Sequence, residues 1–329
     1  AQSGKTASVL DVMGERLDNR PAPIIYVGPN KEFLTDQFEP RLEEIFRQSE
    51  SLGAKVVGGL EGKEQKKTLK RVAGVRVRLA HAGSSTALKS DPAAVALVDE
   101  YDEMLRNIRG QGDPLGLVEA RGDTYADFQT GITSTPTQGM VEIVHDDASG
   151  LDFWGVGQDD DISSPIWRLW QEGTRHHFCW PCPHCGAYFV PRSKQLRYPQ
   201  NATPSQALAN AWLECPHCAG EVREQHKTQC NERGAFVAPG EKIDRGGNVT
   251  GATIETTTVS FWISGFCSPF KSIGERAERY LRALASGEQD KIQTAVNAGF
   301  GELYLAGGGE VPEWQDVIKR RETYAKKVP

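Results

Sequence analysis

Gly4-Lys5-Thr6, followed ninety residues later by Val95-Ala96-Leu97-Val98-Asp99-Glu100, is the pair of stretches on which the fold turns. In the first, a glycine lets backbone approach a phosphate, a lysine offers a compact positive charge, and a hydroxyl can reach a metal ion. The second is an apolar run long enough for a strand buried on both faces, and it ends in two adjacent carboxylates. Buried acids are costly unless they are paired or bind metal. Asp99 is therefore a candidate for holding Mg²⁺, and Glu100 for orienting a water as general base. Lys5 would neutralise phosphate charge, and Gly4 and Thr6 would complete the cradle at a helix N-terminus. The chain opens inside the first motif, so we expect its upstream half to precede Ala1 and read the chain as a fragment.

Between these stretches, apolar spacing alternates between helix and strand. Val9, Leu10, Met13 and Leu17 share one face of a helix running to Asn19, and Ile24 to Val27 is a short buried strand closed by Gly28-Pro29. A second helix is expected from Glu32 to Gln48, a half-exposed strand over 75–80, a helix over 114–120 and a strand over 131–134. Strands alternating with helices indicate an α/β fold with a parallel sheet, whose ligands sit at the carboxyl ends of the strands. Ser134-Thr135-Pro136-Thr137 ends the strand after the acids, so Thr135 is a candidate sensor of the terminal phosphate.

Two near-identical knuckles, Cys182-Pro-His-Cys185 and Cys215-Pro-His-Cys218, stand 29 residues apart. Four thiolates in paired CxxC turns make a closed tetrahedral Zn²⁺ site of structural type. His184 and His217, inside the knuckles, are not expected to be ligands. Cys230 and Cys267 read as small buried apolar residues.

The formal net charge of −6 argues against a protein that simply coats nucleic acid. Two basic clusters, one from Lys63 to Arg78 and one from Arg320 to Lys327, read as solvated faces. No apolar run approaches the about 18 residues of a membrane span, so no membrane partner is expected. The acidic, glycine-containing stretch 138–162 reads as a surface insertion. Phe261-Trp262-Ile263 reads as a core strand rather than a stacking platform for bases. Arg71 and Arg121 are candidate arginine fingers, though each is better explained as a surface residue.

The order of these marks — AQSGKT at 1–6, PIIYVGP at 23–29, ALVDEYDEM at 96–104, TSTPT at 133–137, CPHCG at 182–186, CPHC at 215–218 and SPF…VNAGFGELY at 268–304 — resembles the large terminase subunit of lambda-type tailed phages. The resemblance implies a P-loop NTPase of RecA/ASCE-like type, a parallel sheet flanked by helices, with a zinc-ribbon-like insertion and a C-terminal helical linker region. It implies an ATPase, using ATP and Mg²⁺, that drives double-stranded viral DNA into a procapsid in the host cell cytoplasm. Its partners would be the small terminase subunit and the capsid portal, on which such motors form homo-oligomeric rings. Residues 1–150 would be the ATPase core, 151–240 the zinc-binding insertion, 241–306 the part completing the ATPase domain, and 307–329 a linker toward a nuclease domain. No nuclease activity is expected within the chain. Two rival readings are a DExD-type helicase-like motor, from Asp99-Glu100-Tyr101-Asp102, and a zinc-stapled DNA- or protein-binding module with a decayed nucleotide site.

Overall fold

Apolar residues on both sides of a strand force it into the middle of a layered structure, and Ile24–Gly28 and Val95–Asp99 are buried at every position. The computed structural model describes residues 4–89, 91–108 and 110–305. Its main sheet is built from β1 (Ile24–Gly28), β2 (Leu69–Val72), β3 (Val75–His81), β4 (Val95–Asp99) and β5 (Gln129–Thr133), in the order β2-β3-β1-β4-β5. β3, β1, β4 and β5 run parallel, and β2 is antiparallel to β3. The expectation of a parallel α/β sheet is met, with one antiparallel edge strand.

Period-2 alternation splits each central strand between two cores. Ile24, Tyr26, Val95 and Leu97 face one, packed beneath helices α1 (Lys5–Asn19) and α2 (Glu39–Gln48). Ile25, Val27, Ala96 and Val98 face the other, against α3 (Pro114–Glu119). Each fully buried Leu, Ile or Val contributes about 1.5–3 kcal/mol, so the four-residue apolar stretches of β1 and β4 anchor both layers.

The helix expected over 32–48 is divided: Phe33–Phe38 is wound as a π-helix before α2 begins. Pro40 has no N–H to continue the ladder, and a wider turn before it removes the conflict. The first basic cluster is solvated in part: Lys63, Lys66, Lys67 and Arg76 are exposed, but Lys70 is not. Lys70 is 2% exposed and pairs with Glu39 at 2.5 Å and Glu43 at 2.6 Å. Arg76 and Arg78 both bind Asp91.

Past residue 138 the chain turns to short strands and connecting helices. The stretch 138–162, expected as a surface insertion, is exposed or half-buried over most of its length but also contributes to a core. It forms a hairpin, Ile143–Asp146 with Leu151–Trp154, whose Leu151, Phe153 and Trp154 are buried in a further core, separate from those of the main sheet. The acids that suggested a surface stretch lie on the outward side, whereas the apolar residues among them set the packing. Helix α4 (Pro165–Glu172) adds Trp167 and Trp170 to that core, beside the strand His176–Pro181. The aromatic run is divided too: Trp262 and Phe266 are buried, but Phe261 is 54% exposed. Among the described residues beyond 138 the sheets have two to four strands, so the second ATPase-like sheet that a helicase requires is not found there. The expected linker 307–329 lies outside the described residues, as does the second basic cluster.

Candidate nucleotide site and cysteine centre

Gly4 precedes α1 with φ of 89°, a backbone conformation that a side chain would strain. It therefore caps the helix without a side chain, and no acidic residue lies in the first turn of α1. Among the described residues no side-chain cap meets the first-turn N–H groups, at the end of the helix where the dipole favours an anion.

The sheet order puts the C-terminal tips of β4 and β5 side by side in register, Asp99 opposite Thr133. Residues far apart in the chain meet there. The Lys5 ammonium donates to Glu100 at 3.0 Å and to the Thr135 hydroxyl at 2.6 Å. Thr6 Oγ1 donates to Asp99 Oδ2 at 3.0 Å. Gly4, Lys5, Thr6, Asp99, Glu100 and Thr135 are thus brought to one end of the sheet.

Asp99 is fully buried, and its carboxylate is held from several sides. Tyr26 OH donates to Oδ2 at 3.3 Å, while Thr133 Oγ1 at 2.5 Å and the Glu100 N–H at 3.0 Å donate to Oδ1. Burial, with Asp99 beside it, raises the Tyr26 pKa far above its ordinary value, so this phenol stays a donor. Glu100 itself has φ of 55°, in the left-handed region that a glutamate rarely enters. That turn leaves Asp99 under the sheet while the Glu100 side chain reaches Lys5. The sequence reading did not single out Tyr26 or Thr133. Their signal was a lone hydroxyl in an apolar strand and a polar strand end. Arg71 pairs with Glu64, and Arg121 donates to the Lys89 carbonyl, so neither candidate finger points to a partner in this cluster.

The second candidate centre lies in the region beyond 138. The Sγ atoms of Cys182, Cys185, Cys215 and Cys218 all lie within 4.8 Å of one another. The Cys182–Cys218 and Cys185–Cys215 pairs are 3.8 and 3.9 Å apart. A tetrahedral zinc with Zn–S bonds of about 2.3 Å has S···S edges of about 3.8 Å, so the donor set fits that ion. The two knuckles share one backbone pattern: the N–H of Gly186 and of Ala219 returns to the carbonyl of Cys182 and of Cys215, and both residues are left-handed. His184 and His217 turn their Nε2 atoms to the carbonyls of Glu221 and Tyr188, consistent with non-ligand roles. Cys179 sits apart, fully buried, with its thiol pushed up to about 12 by burial.

Comparison with known proteins returns two family matches. The family described as "Phage terminase large subunit gpA, ATPase domain" matches residues 1–236, and "Terminase large subunit gpA, endonuclease domain" matches 258–329. The second match covers the stretch expected to complete the ATPase domain and form a linker, so the expected lack of nuclease activity is not carried forward. The large terminase subunit of Escherichia phage lambda is 27% identical over 164 residues, 45% of this chain and 24% of that protein. The chain thus spans about a quarter of the length of that relative. A solved structure, the Thermus phage P74-26 large terminase ATPase domain, is 19% identical and covers 42% of this chain and 57% of its own, with a TM-score of 0.27. That overlap is too slight to build on. Among the described residues no helix is long and apolar enough to cross a membrane.

Proposed function

Since the chain belongs to the family of gpA-type phage terminase large subunits and carries its ATPase domain, we propose that it hydrolyses ATP to drive double-stranded viral DNA into a procapsid. The observation that carries this reading is the Lys5 ammonium lying 3.0 Å from Glu100 and 2.6 Å from Thr135, with Thr6 on Asp99 beside it. Gly4, Lys5 and the first turn of α1 bind the phosphates. Thr6 and Asp99 would hold Mg²⁺, which neutralises phosphate charge. Incoming phosphate oxygens compete for the Lys5 ammonium, so Glu100 is released from its ion pair as substrate binds. Its freed carboxylate takes a proton from the attacking water. Water oxygen then bonds to the γ-phosphorus as the bond to the β,γ-bridging oxygen breaks, giving ADP and phosphate. Thr135, no longer held by Lys5, registers the change. Cys182, Cys185, Cys215 and Cys218 hold a structural zinc. The working complex includes the small terminase subunit and a portal-bound ring of copies, in the host cell cytoplasm.

The domain division that accompanies this proposal is an ATPase core over 1–150, a zinc-bearing insertion over 151–240 and a region completing the ATPase over 241–306. The test is ATP turnover by the full polypeptide with Mg²⁺ and DNA. Glu100→Gln is expected to bind ATP normally and lose at least about 100-fold in turnover, the contribution of a positioned base. A protein that binds no ATP, or a Glu100→Gln variant with wild-type turnover, overturns the proposal.

A further inference from the structure

Asp102 lies in the single turn Tyr101–Glu103 that follows β4, two residues past Glu100. Its backbone N–H donates to Ser134 Oγ at 2.9 Å, next to the Thr135 that Lys5 holds. Its Oδ2 accepts from Thr137 Oγ1 at 2.9 Å and Ser164 Oγ at 2.5 Å, and its Oδ1 from the Ile166 N–H at 2.8 Å. One carboxylate therefore joins the segment after β5 to the start of α4.

The local chemistry of α4 makes that joint specific. Ser164 is the N-cap residue, yet its hydroxyl does not cap its own helix. It donates to Asp102 instead, and Asp102 accepts the N–H of Ile166 in the first turn. The cap of α4 is thus supplied by another element, with the negative charge that a helix N-terminus favours. Burial raises the Asp102 pKa despite these hydrogen bonds, so holding a carboxylate here costs free energy. α4 in turn plants Trp167 and Trp170 in the core shared with the strand that leads into the first knuckle.

We propose that Asp102 is a positioning residue that couples the γ-phosphate end of the nucleotide site to α4, so that the zinc-bearing region shifts with nucleotide state. The proposal rests on the nucleotide-site reading above. When phosphate draws Lys5 away from Glu100 and Thr135, the two chain segments carrying those residues lose the side chain that joins them. Asp102 belongs to the first and is bonded to the second, so it moves with both. The left-handed Glu100, two residues before it, can relax by a backbone rotation at the entry to the same turn.

The test is amide hydrogen exchange over residues 163–172 in the zinc-loaded full polypeptide, with Mg²⁺ and with or without adenosine 5′-(β,γ-imido)triphosphate. In the wild type, exchange there is expected to change by about fivefold or more on adding the analogue, the lower end of usual coupling between sites. Asp102→Ala is expected to keep the analogue affinity within about threefold and to abolish the nucleotide-dependent difference. Ser164→Ala, which removes one donor and leaves the acid in place, is expected to reduce that difference, and it serves if Asp102→Ala does not fold. A purely structural role for Asp102 would raise exchange equally in both states and leave the difference intact. That result, or a wild type that binds the analogue without any change over 163–172, overturns the proposal. A wild type that fails to bind the analogue overturns the nucleotide-site reading and this proposal together.

Discussion

Four donors converge on the Asp99 carboxylate: Thr6, Tyr26, Thr133 and the Glu100 N–H. A hydrogen bond to a charged group is worth about 1.5–3 kcal/mol, so these four donors offset much of the cost of burying the carboxylate. Tyr26→Phe removes one donor and leaves the ring stacked on Phe38. We expect it to lower stability by about 1–2 kcal/mol in denaturant titration and to weaken Mg²⁺-dependent ATP binding severalfold. His177 is the second residue whose environment matters. It is completely buried, and burial, with Arg192 next, holds its pKa well below the ordinary value. Because its folded pKa is depressed, its contribution is fully present above the unfolded value of about 6.5 and is lost as pH falls below it. Melting temperature should therefore drop between about pH 6.5 and 5, with a slope of up to about 1.4 kcal/mol per pH unit from this residue. His177→Gln should flatten that slope; an unchanged slope would show that other groups set it. That Lys5, Asp99 and Glu100 share one end of the sheet was expected from the sequence, because the proposed phosphate chemistry would require those residue types together. Tyr26 was not, because a tyrosine in an apolar strand is usually only a core residue.

At the scale of elements, α2 and the edge strand β2 are tied by Lys70 between Glu39 and Glu43. Removing one partner of a buried ion pair strands the remaining charges, so Lys70→Ala is expected to cost about 3–5 kcal/mol, measured by chemical denaturation. The sequence suggested a solvated basic face here, since charge patterning carries no information about which lysine the sheet will cover. The cysteine knuckles are the opposite case. Their spacing alone suggested a four-thiolate site, and the Sγ atoms converge within 4.8 Å. Elemental analysis should find one zinc per chain. Cys215→Ser, or a strong chelator, should remove it and loosen residues 178–237 to proteolysis while the five-stranded sheet stays protected. Zinc retained in that variant would reject the four-thiolate assignment.

Across the whole molecule, the segment after β5 is the crossing point. The Thr137 carbonyl accepts from Asn297 Nδ2 at 2.7 Å and from the Tyr304 N–H at 2.9 Å, and Asn297 also donates to the Glu302 carbonyl at 2.7 Å. The end of the described chain is thereby fastened to the strand tip beside the proposed nucleotide site. Asn297→Ala leaves two carbonyls short of a donor, and we expect a loss of about 2–3 kcal/mol in unfolding free energy. If 258–305 docked independently, that substitution would leave the stability of the main sheet unchanged, as protease protection of residues 24–28 and 95–99 would reveal.

The sequence by itself determined which polar residues stand at the strand tips, the alternation of helix and strand, and the pairing of the four knuckle cysteines. Each of these follows from residue type and short-range spacing. Tertiary structure alone decided that Lys5 reaches Glu100 and Thr135 across 95 and 130 residues, that Tyr26 supports Asp99, and that Asp102 caps α4. It also turned an acidic stretch inward at Leu151, Phe153 and Trp154. The reason is physical: periodicity fixes which face of an element is apolar, but the order of strands in a sheet decides which elements share that face.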